Sequence, residues 1–242
     1  MKTTVGNHGY GRYYVVDENK GIKLPSVTTI LGETKDKSGL LDWQNRVGAV
    51  EAERISTFSA NRGTFMHALH EQYINCLYVT KESKPLQQAF IKAKAMKECA
   101  NLTTDEIEMG KKLFLQFLNT TDFYERMEDV MYQEIPLWSF ISGGYAGRMD
   151  LSMWAKSRIP KLVDFKTSRK PKKEEWIEDY KLQTSAYSVA LHERYGIFPQ
   201  SVEIWISCES GEVQLFELDR KAIKENFEKF NIRLKQYHEK FK

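Results

Sequence analysis

Gly147-Arg148-Met149-Asp150, a spacer, and then Val163-Asp164-Phe165-Lys166-Thr167 decide how this chain is read. Leu162, Val163 and Phe165 favour a strand, and a strand's period of two sets Asp164 and Lys166 on one face. If the strand carrying Asp150 pairs with it, both carboxylates reach one point, where a hard cation such as Mg²⁺ or Mn²⁺ finds the oxygen ligands it prefers. Lys166 then stands close enough to hold or deprotonate an attacking water, or to neutralise charge developing on a phosphorane. Alone, Asp-x-Lys is commonplace and is usually structural or solvated, so the reading rests on what surrounds it.

With 242 residues and 41% hydrophobic content, the chain suits one large α/β domain or a core with a helical elaboration. A formal net charge of +3 is too small to announce a nucleic-acid binder, so the placement of charge matters more than its sum. Between 156 and 173 the basic residues Lys156, Arg158, Lys161, Lys166, Arg169, Lys170, Lys172 and Lys173 are opposed only by Asp164. Beside a metal site, such a cluster reads as phosphate attraction rather than as a solvated loop.

Cys76, Cys99 and Cys208 lie far apart with no Cys-x-x-Cys spacing, which argues against a disulfide framework, a zinc ribbon or an iron–sulfur cluster. No apolar run approaches the roughly 18 residues of a membrane span, and the start Met1-Lys2-Thr3-Thr4 does not lead into a signal-peptide core. The expected setting is cytoplasmic, in a bacterial cell or a phage-infected host cell.

Residues 12–17 and 22–24, separated by Glu18-Asn19-Lys20-Gly21, predict a β-hairpin, and Ser26 predicts a cap for a short helix over 27–31. From 40 to 121 the pattern is helical, with breaks expected at Asn61-Arg62-Gly63, Ser83-Lys84-Pro85 and Asn101-Leu102-Thr103-Thr104. Strands over 130–138, 148–155 and 161–166 predict a three-stranded meander. A helix over 174–195, strands over 202–208 and 213–218, and an amphipathic helix over 220–241 close the fold.

The ordered set Gly147-x-x-Asp150, Asp164-x-Lys166-Thr167-Ser168 and Gln183-x-x-x-Tyr187 resembles the RecB- and Cas4-like branch of the PD-(D/E)xK nuclease superfamily. Glu134 lies on the strand before Gly-x-x-Asp, where these nucleases often keep an acid, and His67 lies in the helical region, where they place a metal-binding histidine. Pro25-Ser26-Val27-Thr28-Thr29-Ile30-Leu31 and Arg62-Gly63-x-x-x-His67 narrow the resemblance to the mitochondrial genome maintenance exonuclease family and its phage and bacterial relatives. The similarity spans about 24–190.

The resemblance implies an α/β restriction-endonuclease-like core, with a central mixed sheet flanked by helices and an N-terminal helical region arching over the active site. The chain is then one nuclease domain over 1–242: hairpin and short helix over 1–35, helical arch over 40–121 and catalytic core over 130–242. The implied activity is a metal-dependent DNA exonuclease that prefers single strands with a free end, a duplex being too wide to thread. A helicase or single-strand-binding protein is a conceivable partner. The implied ligands of Mg²⁺ or Mn²⁺ are Asp150, Asp164, His67 and the carbonyl of Phe165, with a second ion possible near Glu134.

In this scheme Lys166 positions or activates the water, Gln183 holds Lys166, and Tyr187 packs against the site or the DNA. Ser26, Arg62, Thr167, Ser168, Arg169, Lys170, Lys172 and Lys173 are the expected DNA contacts, and Trp43, Phe58, Phe65 and Tyr73 are stacking or core aromatics. Competing readings are an endonuclease on the same fold and a non-catalytic DNA-binding accessory protein. A zinc site at His67-x-x-His70-Glu71 lacks a supporting pattern, and His70 reads as a surface or core histidine. Glycoside hydrolysis leaves the lysine and the basic cluster unexplained.

Overall fold

The computed structural model describes residues 4–8, 11–17 and 21–241. β1 (Thr4–His8), β2 (Gly11–Asp17) and β3 (Ile22–Pro25) form an antiparallel three-stranded sheet. The predicted strands over 12–17 and 22–24 pair as expected, while the turn residues Glu18, Asn19 and Lys20 lie outside the described residues. α1 (Val27–Thr34) follows at once, because the Ser26 hydroxyl accepts the Thr29 amide hydrogen at 2.9 Å and satisfies an orphan donor of the first turn.

The helical block comprises α2 (Ser38–Val47), α3 (Ala49–Ile74), α4 (Pro85–Lys94), α5 (Thr104–Thr120) and the single turn α6 (Phe123–Arg126). Two of the expected breaks are present. Pro85 opens α4 in its first turn, where a missing N–H costs nothing, and Thr103 with Glu106 forms a capping box at the start of α5.

The third expected break is absent, since Asn61-Arg62-Gly63 lies inside α3, which runs unbroken for 26 residues. Asn61 finds its partner on α5, donating to Glu106 Oε1 at 2.8 Å instead of turning on its own backbone. Gly110 lets α5 press against this segment: a Cβ there would lie 2.7 Å from the Arg62 carbonyl oxygen and 2.9 Å from Phe65 Cβ. Packing between α3 and α5 thus overrides a local turn signal.

β4 (Met127–Ser139), β5 (Tyr145–Ala155) and β6 (Ile159–Ser168) form the antiparallel meander. α7 (Glu178–Tyr195) carries the chain to β7 (Ser201–Cys208), parallel to β6, before β8 (Val213–Asp219) and α8 (Arg220–Lys240). The sheet order is β4-β5-β6-β7-β8, and the parallel pair needs the long helical crossover that α7 provides.

One face of this sheet is covered by α1, α7 and α8, with Ile30, Leu182, Ala186, Phe230 and Leu234 in the core. The other is covered by α3 and α5, through Phe65, Leu69, Phe114 and Phe117. β7 is buried along its whole length, enclosing the polar Glu203 and Ser207 together with Val202, Ile204, Trp205 and Ile206. The mixed sheet between helical layers is the expected architecture, and it leaves the C-terminal half of β6 beside α3.

Candidate active site

β5 and β6 pair from Ala155↔Ile159 to Leu151↔Val163 and then part. Just beyond the last pair, Asp150 Oδ2 accepts the Phe165 amide hydrogen at 2.8 Å, so a carboxylate stands where a ladder bond would have been. Glu134 faces Asp150 from β4, between the Gln133↔Leu151 and Ile135↔Met149 pairs. Its φ of +51° is rare for a residue with a side chain and is the kind of strain that functional positions retain. Arg148 anchors it, with Nε 2.7 Å from Glu134 Oε2 and 3.1 Å from the Glu134 carbonyl oxygen.

His67 reaches this point from α3. Its Nδ1 lies 3.4 Å from Asp150 Oδ2, and its ring hydrogen-bonds the Phe165 backbone. His67, Glu134 and Asp150 each offer a ligand atom, all within 4.8 Å of one another. A half-open cleft of about 520 Å³ surrounds them, also lined by Arg12, Glu71, Glu98, Lys166 and Thr167.

Asp164 and Lys166 share a face, as the period of two requires, and Lys166 Nζ lies 2.7 and 2.6 Å from the two carboxylate oxygens. Asp164 is thus paired with Lys166, beside the three ligand atoms that converge. The electrostatics are those of crowded acids. Burial first, and Asp150 second, raise Glu134 to about 8 against the opposing pull of Arg148. Burial likewise raises Asp164 to about 7; Lys166 opposes this and Asp150 adds to it.

Burial lowers His67, with Asp150 opposing and Lys166 reinforcing that shift. Lys166 is raised: burial disfavours its charge, but Asp164 and Asp150 outweigh that. A cleft where carboxylates repel one another and desolvation disfavours their charge suits a multivalent cation, which relieves both at once. One imidazole nitrogen and two carboxylates fit a divalent cation.

The layer behind these side chains fixes them. His70, one turn beyond His67, is 1% exposed and stacks on the Phe165 ring at 3.8 Å and 12°. Its Nδ1 is 2.7 Å from the Tyr124 hydroxyl, and burial pushes its pKa well below the usual value. His70 is a core histidine that braces Phe165, not a zinc ligand.

Gln183 and Tyr187 do project from one face of α7, but the amide of Gln183 donates to the Tyr187 hydroxyl at 3.1 Å, whereas Lys166 pairs with Asp164. The Lys166 ammonium also lies 5.4 Å from the centroid of the Tyr180 ring. Tyr180 precedes Gln183 by three residues, so the spacing Tyr180, Gln183, Tyr187 already contained this missed residue. Tyr187 is buried against β5, and Gly147 makes room for it: a Cβ at Gly147 would lie 2.4 Å from Tyr187 Cε1.

The expected DNA contacts divide into two groups. Ser26 is 2% exposed and its hydroxyl caps α1, so it is not presented to a strand. Ser168 is likewise buried, donating to the Lys170 carbonyl oxygen at 2.6 Å. Arg62 is 4% exposed and ion-paired with Glu209. Arg169, Lys170 and Lys173 are exposed, and Thr167 and Lys172 are half-buried. Phe65 is fully buried, which removes it as a stacking platform, while Trp43, Phe58 and Tyr73 are half-buried.

Among solved structures, the chain is similar to a candidate exonuclease from Eubacterium rectale at 11% identity and a TM-score of 0.42, covering 71% of this chain and 66% of that one. It thus spans just under two thirds of that protein's length. It is also similar to the protein SSO0001 at 15% identity and a TM-score of 0.31, covering 66% of this chain and 70% of that one. At these TM-scores neither likeness bears on the site. No curated protein matches the chain. Residues 41–241 match the family described as the PD-(D/E)XK nuclease superfamily. That match takes in the helical block from within α2 onward and the whole five-stranded sheet, and the chain therefore belongs to the PD-(D/E)XK nuclease superfamily.

Proposed function

We propose that this nuclease is a Mg²⁺- or Mn²⁺-dependent exonuclease of the RecB-like branch that degrades single-stranded DNA from a free end. The observation that carries the reading is the convergence of His67 from α3 with Glu134 and Asp150 from the sheet, ligand atoms within 4.8 Å. The ion site thereby bridges the helical block and the catalytic sheet, so a strand that reaches it must lie beneath α3. A single strand fits such a passage better than a duplex.

The residues that would hold the ion are His67, Glu134 and Asp150, with Asp164 and the Phe165 carbonyl as further oxygen donors. When bound, the ion lowers the pKa of a water and offsets charge on the scissile phosphate. Lys166 orients that water, and Asp164 holds the ammonium in place at 2.6 Å. Arg148 keeps the Glu134 carboxylate aimed into the cleft. Thr167 and the basic run Arg169, Lys170, Lys172 and Lys173 grip neighbouring phosphates, which gives affinity without sequence preference.

The test is incubation with Mn²⁺ and, in parallel, linear and circular single-stranded DNA of one sequence. Loss of the linear form with the circle intact is the expected result. Cutting of both would make the protein an endonuclease on the same fold, and cutting of neither would leave a binding protein.

A further inference from the structure

The cleft around the three converging ligands continues into a second cavity. Ser59 and Thr167 line both. This neighbour, about 450 Å³, is lined by four cationic side chains, Arg62, Arg169, Lys170 and Lys172, and by no acid. Arg62 lies at its floor, and its Nε is buried without a hydrogen-bond partner. The acid that answers Arg62 enters from the other side, through a smaller cavity of about 300 Å³ shared by Arg62, Arg169 and Glu209. Burial first, and then repulsion from Arg169, pull the Arg62 guanidinium below its ordinary pKa.

We propose that this cavity is a phosphate-binding subsite for the DNA strand, and that in the free protein the Glu209 carboxylate holds the Arg62 guanidinium from the adjoining cavity until a phosphate displaces it. Carboxylate and phosphate each present two oxygens to the planar guanidinium fork. Exchanging one for the other never leaves the buried Arg62 unpaired, which is the costly state.

The walls are built for the task. The Lys170 carbonyl oxygen accepts from Ser168 Oγ at 2.6 Å, and the Gln214 amide brackets Lys172, accepting its N–H at 2.7 Å and donating to its carbonyl oxygen at 3.0 Å. The Glu209 amide donates to the Ser168 carbonyl oxygen at 3.0 Å, so carboxylate and basic loop are tethered together. Glu209 remains 23% exposed in its side chain and can swing out, whereas Arg62, at 5%, cannot. Trp176, exposed at the rim with Lys173 over its ring at 5.3 Å, offers a face for the base attached to that phosphate.

Arg62 and His67 are five residues apart on one helix, about 7.5 Å along its axis. The assignment rests on the reading of the protein as a nuclease of DNA, and deepens it.

The experiment is binding of a fluorescent oligothymidylate by anisotropy in EDTA, for the wild type, Glu209→Gln, Glu212→Gln and Arg169→Ala. Glu212 lies on the same turn, so its neutralisation changes net charge equally without touching Arg62. Glu209→Gln is expected to bind about 3- to 10-fold tighter, Glu212→Gln to match the wild type, and Arg169→Ala to bind more weakly. Thermal melting guards against misfolding: Glu209→Gln, with Arg62 unpaired, should melt lower than the wild type alone and gain more on adding the oligonucleotide.

No gain in affinity for Glu209→Gln, or an equal gain for Glu212→Gln, would overturn the proposal. Oligonucleotides with and without terminal phosphates separate the two sources of the group: tighter binding of a phosphorylated end assigns the subsite to that end, and equal binding assigns it to internal phosphates. Because binding is read without metal, a protein that cut no DNA yet showed the Glu209→Gln gain would lose the exonuclease reading and keep the subsite.

Discussion

Asp150 accepts the backbone N–H of Phe165 at 2.8 Å at the point where the β5–β6 ladder has ended. The same oxygen faces His67 Nδ1 at 3.4 Å. One carboxylate thus holds two strands in register, and at the same time marks where they open to admit a ligand.

Lys166→Ala should abolish cleavage, lowering the rate by at least about 10²-fold, while oligonucleotide affinity in EDTA stays within about threefold. The lysine sits over the cleft with Asp164 as its partner, not in the basic loop. Single-turnover cleavage and anisotropy on the same preparation check this. Near wild-type cleavage would remove Lys166 from the chemistry.

Gly147→Ala should destabilise the fold by about 1–3 kcal/mol, the usual range for an overpacked core site. The new methyl would meet Tyr187 Cε1 at 2.4 Å and its hydroxyl oxygen at 2.7 Å. Adding Tyr187→Leu should recover part of that loss. Urea unfolding of the single and double variants checks it, and an unperturbed Gly147→Ala would mean that Tyr187 has somewhere else to go.

Glu203 is fully buried, with Lys161 Nζ 2.5 Å and Trp205 Nε1 2.8 Å away, and with Arg126 at 3.2 Å. Burial would raise its pKa, but these partners, Lys161 first, outweigh that and leave it below the ordinary 4.5. A lowered folded-state pKa contributes stability that is present above 4.5 and is lost as the pH falls through the lower folded-state value. Glu203→Gln should cost about 1–3 kcal/mol at neutral pH, because it removes the charge from three hydrogen bonds while Lys161 keeps Glu217 and Arg126 keeps Asp122, and should flatten the acid limb of a plot of melting temperature against pH. An unchanged acid limb would assign acid sensitivity to other carboxylates.

Replacing Lys170, Lys172 and Lys173 together by alanine should reduce the slope of log K against log salt by up to about 2, near 0.7 per lost phosphate contact on a single strand. Melting temperature should hardly change, since Lys170 and Lys173 are exposed. Anisotropy titrations at several salt concentrations read the slope, and an unaltered one would place the cluster in solvent.

The strand positions, the helix after β6 and the acid–lysine face were legible because each follows from a local period: Asp164 and Lys166 by two, Gln183 and Tyr187 by four. What the periods could not give is the partner of each side chain. Gln183 bonds Tyr187 instead of Lys166 because Gly147 lets the tyrosine ring press against β5, and that is a long-range fact. The same holds for Asn61-Arg62-Gly63, whose turn signal yields to the α5 surface at Gly110. Ser26 and Ser168 were expected at the DNA because hydroxyls near a motif invite that reading, yet both are buried and bonded to local backbone groups. The roles of Arg148, inside the Gly-x-x-Asp stretch, and of Tyr180, three residues before Gln183, depend on partners from other elements, and Glu209 carried no motif at all; they became visible only when β4, β5, β6, α3, α7 and the β7–β8 turn came together.

The most direct test of the site is calorimetric titration of Mn²⁺ into the wild type, His67→Ala and Asp150→Asn, paired with cleavage of linear single-stranded DNA across the same Mn²⁺ range. Saturable binding by the wild type is predicted, with affinity at least about tenfold weaker in both variants and the metal requirement for cleavage shifted in step. Unchanged Mn²⁺ affinity in both variants, with cleavage intact, would contradict the assignment of His67, Glu134 and Asp150 as the metal centre.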